Sequence, residues 1–161
     1  MSTNDYGYEI LKLSSQFYNA YPKPPYNEIL DNRNRPYNCI LFQTRYDCFV
    51  CVPYRTEISH PYAYKFSGSK RAVLHNSGLD YTKMVIINNL NYISSDKAIV
   101  DQDEYVETVI NIVRIKNEAI DFLNKYIDHL NGINILHPRE FSRRYSYSPI
   151  KYFHSELRLD T

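Results

Sequence analysis

Within the stretch VPYRTEISHPYAYKF (Val52–Phe66), an arginine, a threonine, a serine and a histidine fall inside six positions: Arg55, Thr56, Ser59 and His60. These side chains suit cleavage of an RNA phosphodiester by its own 2′-hydroxyl. That reaction needs a base or orienting group on the 2′-OH, cations on the phosphorane oxygens and a proton for the departing 5′-oxygen. Arg55 offers paired donors to a phosphate. Thr56 and Ser59 offer hydroxyls that donate to a phosphate oxygen or position the 2′-OH. His60 has the side chain that changes charge near neutrality, which suits proton transfer. If Arg55 and Thr56 stand just past a strand end, Ser59 and His60 return one turn later over the same spot.

Each residue also has a plainer use. Arg55 can be a surface arginine, Thr56 a helix cap, and Ser59-His60-Pro61 an ordinary turn. His75 falls in a strand pattern and reads as a packed structural histidine, while His129 and His154 read as surface or core-edge groups on helices. No glycine-rich phosphate loop, H-E-x-x-H or G-x-S-x-G occurs. Paired acids beside bases are scarce, so a two-metal nuclease is disfavoured and no cofactor is expected. Cys48 and Cys51 form C-x-x-C without a second pair, and with Cys39 they read as buried free thiols.

The elements that must position these groups follow from pattern. Tyr37–Thr44 and Cys48–Val52 read as a hairpin turned by Arg45–Asp47, with the polar stretch starting where the second strand stops. Tyr8–Leu13 has strand composition, and Ser14 or Ser15 caps a short helix that Pro22–Pro25 ends. "AVLHNSGLDY" reads as a short strand and a turn at Ser77–Gly78, followed by a strand over "MVIINN". A helix opens at Asp101 or Asp103. Val106, Val113, Ile120 and Ile127 repeat every seven residues beside Val109, Leu123 and Leu130, and Lys116 suggests a bend or two consecutive helices. Asn131-Gly132 stops that segment, and Ser148-Pro149 starts a last helix. The fold class is therefore α+β, a small, strongly curved antiparallel sheet followed by helices, in one domain over residues 1–161.

Composition sets outer limits. The longest apolar runs are four to five residues, against roughly 20 needed to cross a bilayer. "MSTNDYGYEI" lacks a secretory signal, so a cytoplasmic location is expected. Net charge is only +1, yet residues 33–92 hold eight bases against three acids, whereas residues 96–136 hold four against eight. The basic span, with Arg33, Lys70, Arg71 and Lys83, is the side expected to face phosphates. Seventeen tyrosines fit either stacking on single-stranded nucleic acid or the codon bias of a low-GC genome. Tyr54, Tyr62, Tyr64 and Lys65 are expected to grip RNA, and Arg143 and Arg144 in "SRRYSY" fit a nucleic-acid groove or a solvated turn.

The run "RPYNCILFQTRYDCFVCVPYRTEISHPYAYKF", followed by "SGLDYTKMVIINNLNYI", resembles the toxins of type III toxin–antitoxin systems. These are ToxN/AbiQ-like endoribonucleases, and the likeness is to their CptN/TenpN branch. It is carried by Pro53, Arg55, Thr56, Ile58, His60, Gly78, Asp80 and Lys83, and covers about Arg35 to Tyr92. The resemblance implies a barrel-like core related to the MazF/Kid toxins and metal-independent cleavage to 2′,3′-cyclic phosphate and 5′-hydroxyl ends. It also implies a partner, a small repetitive RNA antitoxin folded as a pseudoknot, which the toxin cuts from its precursor and holds in a closed protein–RNA assembly. By position it adds Arg35 to the catalytic set and Tyr26 to the RNA-binding set. Relatives carry a lysine where this chain has Ile58. Three other readings stand beside it: a non-catalytic RNA-binding module, a MazF-like ribonuclease with a protein antitoxin, and a scaffold built on the long helix.

Overall fold

A computed structural model describes residues 7–31 and 37–159. Arg33 and Arg35 lie outside the described residues. The fold is α+β, as expected from pattern, with one six-stranded antiparallel sheet and five α-helices among the described residues. The strands are β1 (Tyr8–Lys12), β2 (Asn38–Gln43), β3 (Phe49–Arg55), β4 (Ala63–Lys65), β5 (Gly78–Asp80) and β6 (Val85–Ile87). Their main path runs β1-β2-β3-β5-β4, and β6 also pairs with β3. No described pairing joins β1 to β4, so the sheet is open rather than closed into a barrel.

β3 is the centre of the molecule, with Val50, Cys51 and Val52 fully buried. It does not stop at Val52, as the polar residues beyond suggested, but runs through Pro53 to Arg55. A proline in a central strand requires a place where one neighbour makes no demand on its missing N–H. That place exists. Cys51 pairs with Val85 and Tyr54 with Leu79, so residues 80–84 stand opposite only residues 52 and 53. The surplus is extruded as a 3₁₀ turn, Tyr81–Lys83, which lifts the neighbouring strand away at Pro53. A notch therefore opens between β5 and β6 opposite Val52 and Pro53, just before β3 ends at Arg55.

The helices are α1 (Ser15–Ala20), α2 (Lys70–His75), α3 (Gln102–Ile110), α4 (Ile112–Leu130) and α5 (Pro138–Tyr145). Ser14 caps α1, and a 3₁₀ turn over Pro149–Phe153 follows Ser148. Residues 72–75, expected as strand, are helical. Ser69 accepts a hydrogen bond from the Ala72 N–H, Asn76 closes the helix in the left-handed region, and no residue of α2 is buried to favour extension. His75 is consequently not a packed core histidine; it is exposed and bonds Glu57 at 3.0 Å.

The helical break falls at Asn111, earlier than Lys116 suggested. α4 buries Ile112, Ile115, Ala119, Phe122, Leu123, Tyr126 and Ile127. Val106, Val113 and Leu130 of the seven-residue pattern are exposed, because a straight helix drifts about 20° per heptad and packs by its 3.6-residue period. Among the described residues, no helix is long and apolar enough to cross a membrane. All three cysteines are buried free thiols, and burial pushes the Cys39 thiol up to about 12.

Candidate active site at the end of the central strand

Four groups meet in the notch. Asp80, the last residue of β5, is fully buried and accepts every hydrogen bond that organises it. Its Oδ2 accepts from Arg55 Nη1 at 2.9 Å. Its Oδ1 accepts from the Thr82 hydroxyl at 2.6 Å, the Thr82 N–H at 3.0 Å and His60 Nε2 at 3.1 Å. Burial drives the Asp80 carboxyl upward. Hydrogen bonds from His60, Thr82 and Arg55 outweigh that penalty, and the group sits below its ordinary range. A buried carboxylate thus fixes two partly exposed cationic-type side chains, with Arg55 27% and His60 30% exposed.

The ring of His60 is specified at both nitrogens. Nε2 faces Asp80, and Nδ1 accepts the Tyr62 N–H at 3.1 Å. This arrangement assigns the neutral tautomer with its proton on Nε2. Among the described residues, the Nδ1 lone pair is met by a local backbone N–H two residues on. On one side, the ring lies nearly parallel to Tyr62, 6.0 Å between centroids, and the Arg144 guanidinium covers Tyr62 at 4.8 Å. Glu140 accepts from both Tyr62 Oη and Arg144 Nε, so α5 braces the loop that carries His60.

Gly78 explains how β4 and β5 approach closely enough to build the notch. A Cβ there would strike the Tyr64 carbonyl oxygen and come within 3.2 Å of Ile58 Cδ1. Ile58 is itself a core residue, 2% exposed, where an ammonium could not be solvated. Among the described residues, Arg55 and Lys83 are the cations on the strand end and the turn beside it. Lys83 closes the 3₁₀ turn and donates from Nζ to the carbonyls of Glu28 (3.2 Å) and Tyr147 (2.7 Å).

The expected site residues are sorted unevenly by this geometry. Arg55, Thr56 and His60 share the strand end, half-buried, while Ser59 beside them is exposed. Tyr62 joins them through its stack on His60. Tyr54 and Tyr64, expected to grip RNA, are instead core residues. The Tyr54 hydroxyl bonds Thr108 at 3.0 Å in the interior. Tyr64 donates to Glu107, and burial with that neighbour pushes its phenol up to about 12. Arg71 is occupied as well. It bonds Glu104, a buried carboxylate that also accepts from Ser69 and Ser77 and so ties α2 to α3. Tyr26 is half-buried, packed edge-on against Tyr21 and Tyr152. Lys65, Lys70 and Arg143 are exposed. Arg143 and Arg144 lie on α5 rather than in a solvated turn.

Asp80 stands outside the expected catalytic set, although the family likeness includes it. Its signal was present: a lone acid in the apolar run "GLDYTKMVII" must be partnered if that run is buried. Thr82, two residues on, completes the local cap. No known family, curated protein or solved structure matches this chain.

Proposed function

We propose that this chain is a metal-independent endoribonuclease, the toxin of a type III toxin–antitoxin system. The observation that carries the reading is Asp80: one buried carboxylate aims an arginine and a histidine at the same exposed strand end. With Nη1 committed to Asp80, Arg55 keeps its other donors for the non-bridging oxygens of a phosphate. Thr56, the next residue, adds a hydroxyl. Arg35, outside the described residues, enters by family likeness as a second cation.

His60 takes the base role in this reading. Asp80 holds Nε2–H and stabilises the imidazolium that forms when Nδ1 accepts the 2′-OH proton, much as an acid orients histidine in hydrolase triads. The substrate hydroxyl displaces only the Tyr62 N–H. Products are a 2′,3′-cyclic phosphate and a 5′-hydroxyl. A strongly curved, MazF/Kid-like core and a cytoplasmic setting belong to the same reading. So does a pseudoknot RNA antitoxin, cut from its repeats and retained in a closed assembly.

Co-expression with the native upstream RNA locus tests the partner. Purified complex should carry RNA of regular length, read as nucleic-acid absorbance and a discrete gel band. Co-purification of a protein inhibitor instead would favour the MazF-like alternative. Arg55→Ala and His60→Ala should each abolish toxicity in cells, and full toxicity in both variants would rule the site out.

A further inference from the structure

The proposed reaction has a base in His60 but leaves the 5′-oxygen without a proton donor. Lys83 flanks the site: it closes the 3₁₀ turn whose Thr82 is bonded to Asp80. It is the last residue of that three-residue turn, which Asp80 caps, so one short rigid segment carries both groups. Lys83 lines a small, mostly apolar cavity with Tyr18, Ile29, Cys39 and Pro53, which places it beside β3 at the notch. Two of its three ammonium hydrogens are directed at the Glu28 and Tyr147 carbonyls. Both acceptors are neutral. The Glu28 carboxylate is turned to Lys151 and Tyr152 instead. An ammonium solvated by carbonyls, with its third hydrogen uncommitted among the described residues, gives up a proton more readily than one locked in an ion pair.

We infer that Lys83 is the general acid that protonates the departing 5′-oxygen, an assignment that rests on the reading of the notch as an RNA-cleaving site. The 2′-oxygen attacks phosphorus as its proton passes to His60 Nδ1. The P–O5′ bond then breaks, and the 5′-oxygen takes a proton from Lys83 Nζ. An imidazolium and a neutral amine remain, and proton exchange with water restores both. Supporting this, burial pulls the Lys83 ammonium below the usual lysine range; Asp80 opposes that pull and Arg55 adds to it. Lys83 thus leaves the class of residues that merely grip RNA.

A leaving group that needs no proton tests the assignment. Single-turnover cleavage would be compared on an RNA and on the same RNA with a bridging 5′-sulfur at the mapped cleavage position. Lys83→Met should slow the ordinary substrate about 100-fold or more, the usual worth of a general acid. It should cleave the 5′-thio substrate within a few-fold of wild type. Lys83→Arg keeps the charge and the site intact but is a poor acid, so it should show the same selective loss. Equal loss on both substrates, or no loss on either, overturns the acid role. If the wild-type protein cleaves neither RNA, the reading of the site itself fails, which is a different result.

Discussion

Asp80→Asn tests the site with the least steric disturbance. An amide whose oxygen occupies the Oδ1 position keeps the bonds from Thr82 and His60 and turns an NH₂ toward Arg55, donor against donor. One charge-assisted hydrogen bond is lost, worth about 1.5–3 kcal/mol in general. Because Arg55 is 27% exposed and water can replace the partner, the expected loss is smaller, about 1–2 kcal/mol. For a chain of this size that lowers Tm by about 2–8 °C. Cleavage should fall on the order of 100-fold, since Arg55 is no longer held for the phosphate.

The same variant carries a pH signature with a definite sign. Folded Asp80 holds its charge to lower pH than in the unfolded chain, so the unfolded state binds more protons as the medium is acidified. The stabilisation is complete above the unfolded carboxyl pKa of about 3.9 and is lost as pH falls through the depressed folded value. Asparagine has no such contribution. Thermal unfolding followed by circular dichroism between pH 3 and 7 should therefore show the gap between wild type and variant narrowing at the acid end. A gap that is constant or widens there refutes the assignment of Asp80 as the charged hub. Full cleavage by Asp80→Asn would refute its link to Arg55.

Other perturbations separate site from scaffold. Arg55→Lys keeps a charge but loses the planar fork, so it should reduce cleavage at least tenfold with little change in Tm. Gly78→Ala drives a methyl into the Tyr64 carbonyl and against Ile58, and a destabilisation of about 1–3 kcal/mol is expected by urea unfolding. Tyr54→Phe removes a buried bond to Thr108 and should cost about 1 kcal/mol of stability while leaving RNA affinity, measured by filter binding, unchanged. A large affinity loss in that variant would return Tyr54 to the RNA-contacting set.

How much of this was legible in the sequence depends on distance along the chain. The β2–β3 hairpin, the Ser14 and Ser148 caps and the Asn131-Gly132 stop were readable, because each is decided by a few neighbouring residues. Pro53 misled. Taken alone it ends a strand; it is tolerated only because the chain 28 residues later extrudes a turn opposite it. Val73 and Leu74 looked like strand, yet α2 leaves both exposed, and the Ser69 cap decides the segment. At the site, Arg55, Thr56 and His60 were visible by type and spacing. Tyr54 and Tyr64 could not be told from Tyr62 by composition, since their partners on α3, Thr108 and Glu107, decide which tyrosines are buried. Asp80 was legible as an acid in need of partners, but which donors converge on it, Thr82 among them, needed the third dimension.

The central claim is that the notch beside β3 cuts RNA through the substrate's own 2′-hydroxyl. Its most direct test is the chemistry of RNA ends after incubation with purified protein in EDTA. New fragments should carry 5′-hydroxyls, taking label from a kinase without prior phosphatase treatment, and 2′,3′-cyclic phosphates at their other ends. The Arg55→Ala variant should leave the RNA intact. Bound but uncut RNA with the wild-type protein, or fragments with 5′-phosphates, would contradict the claim.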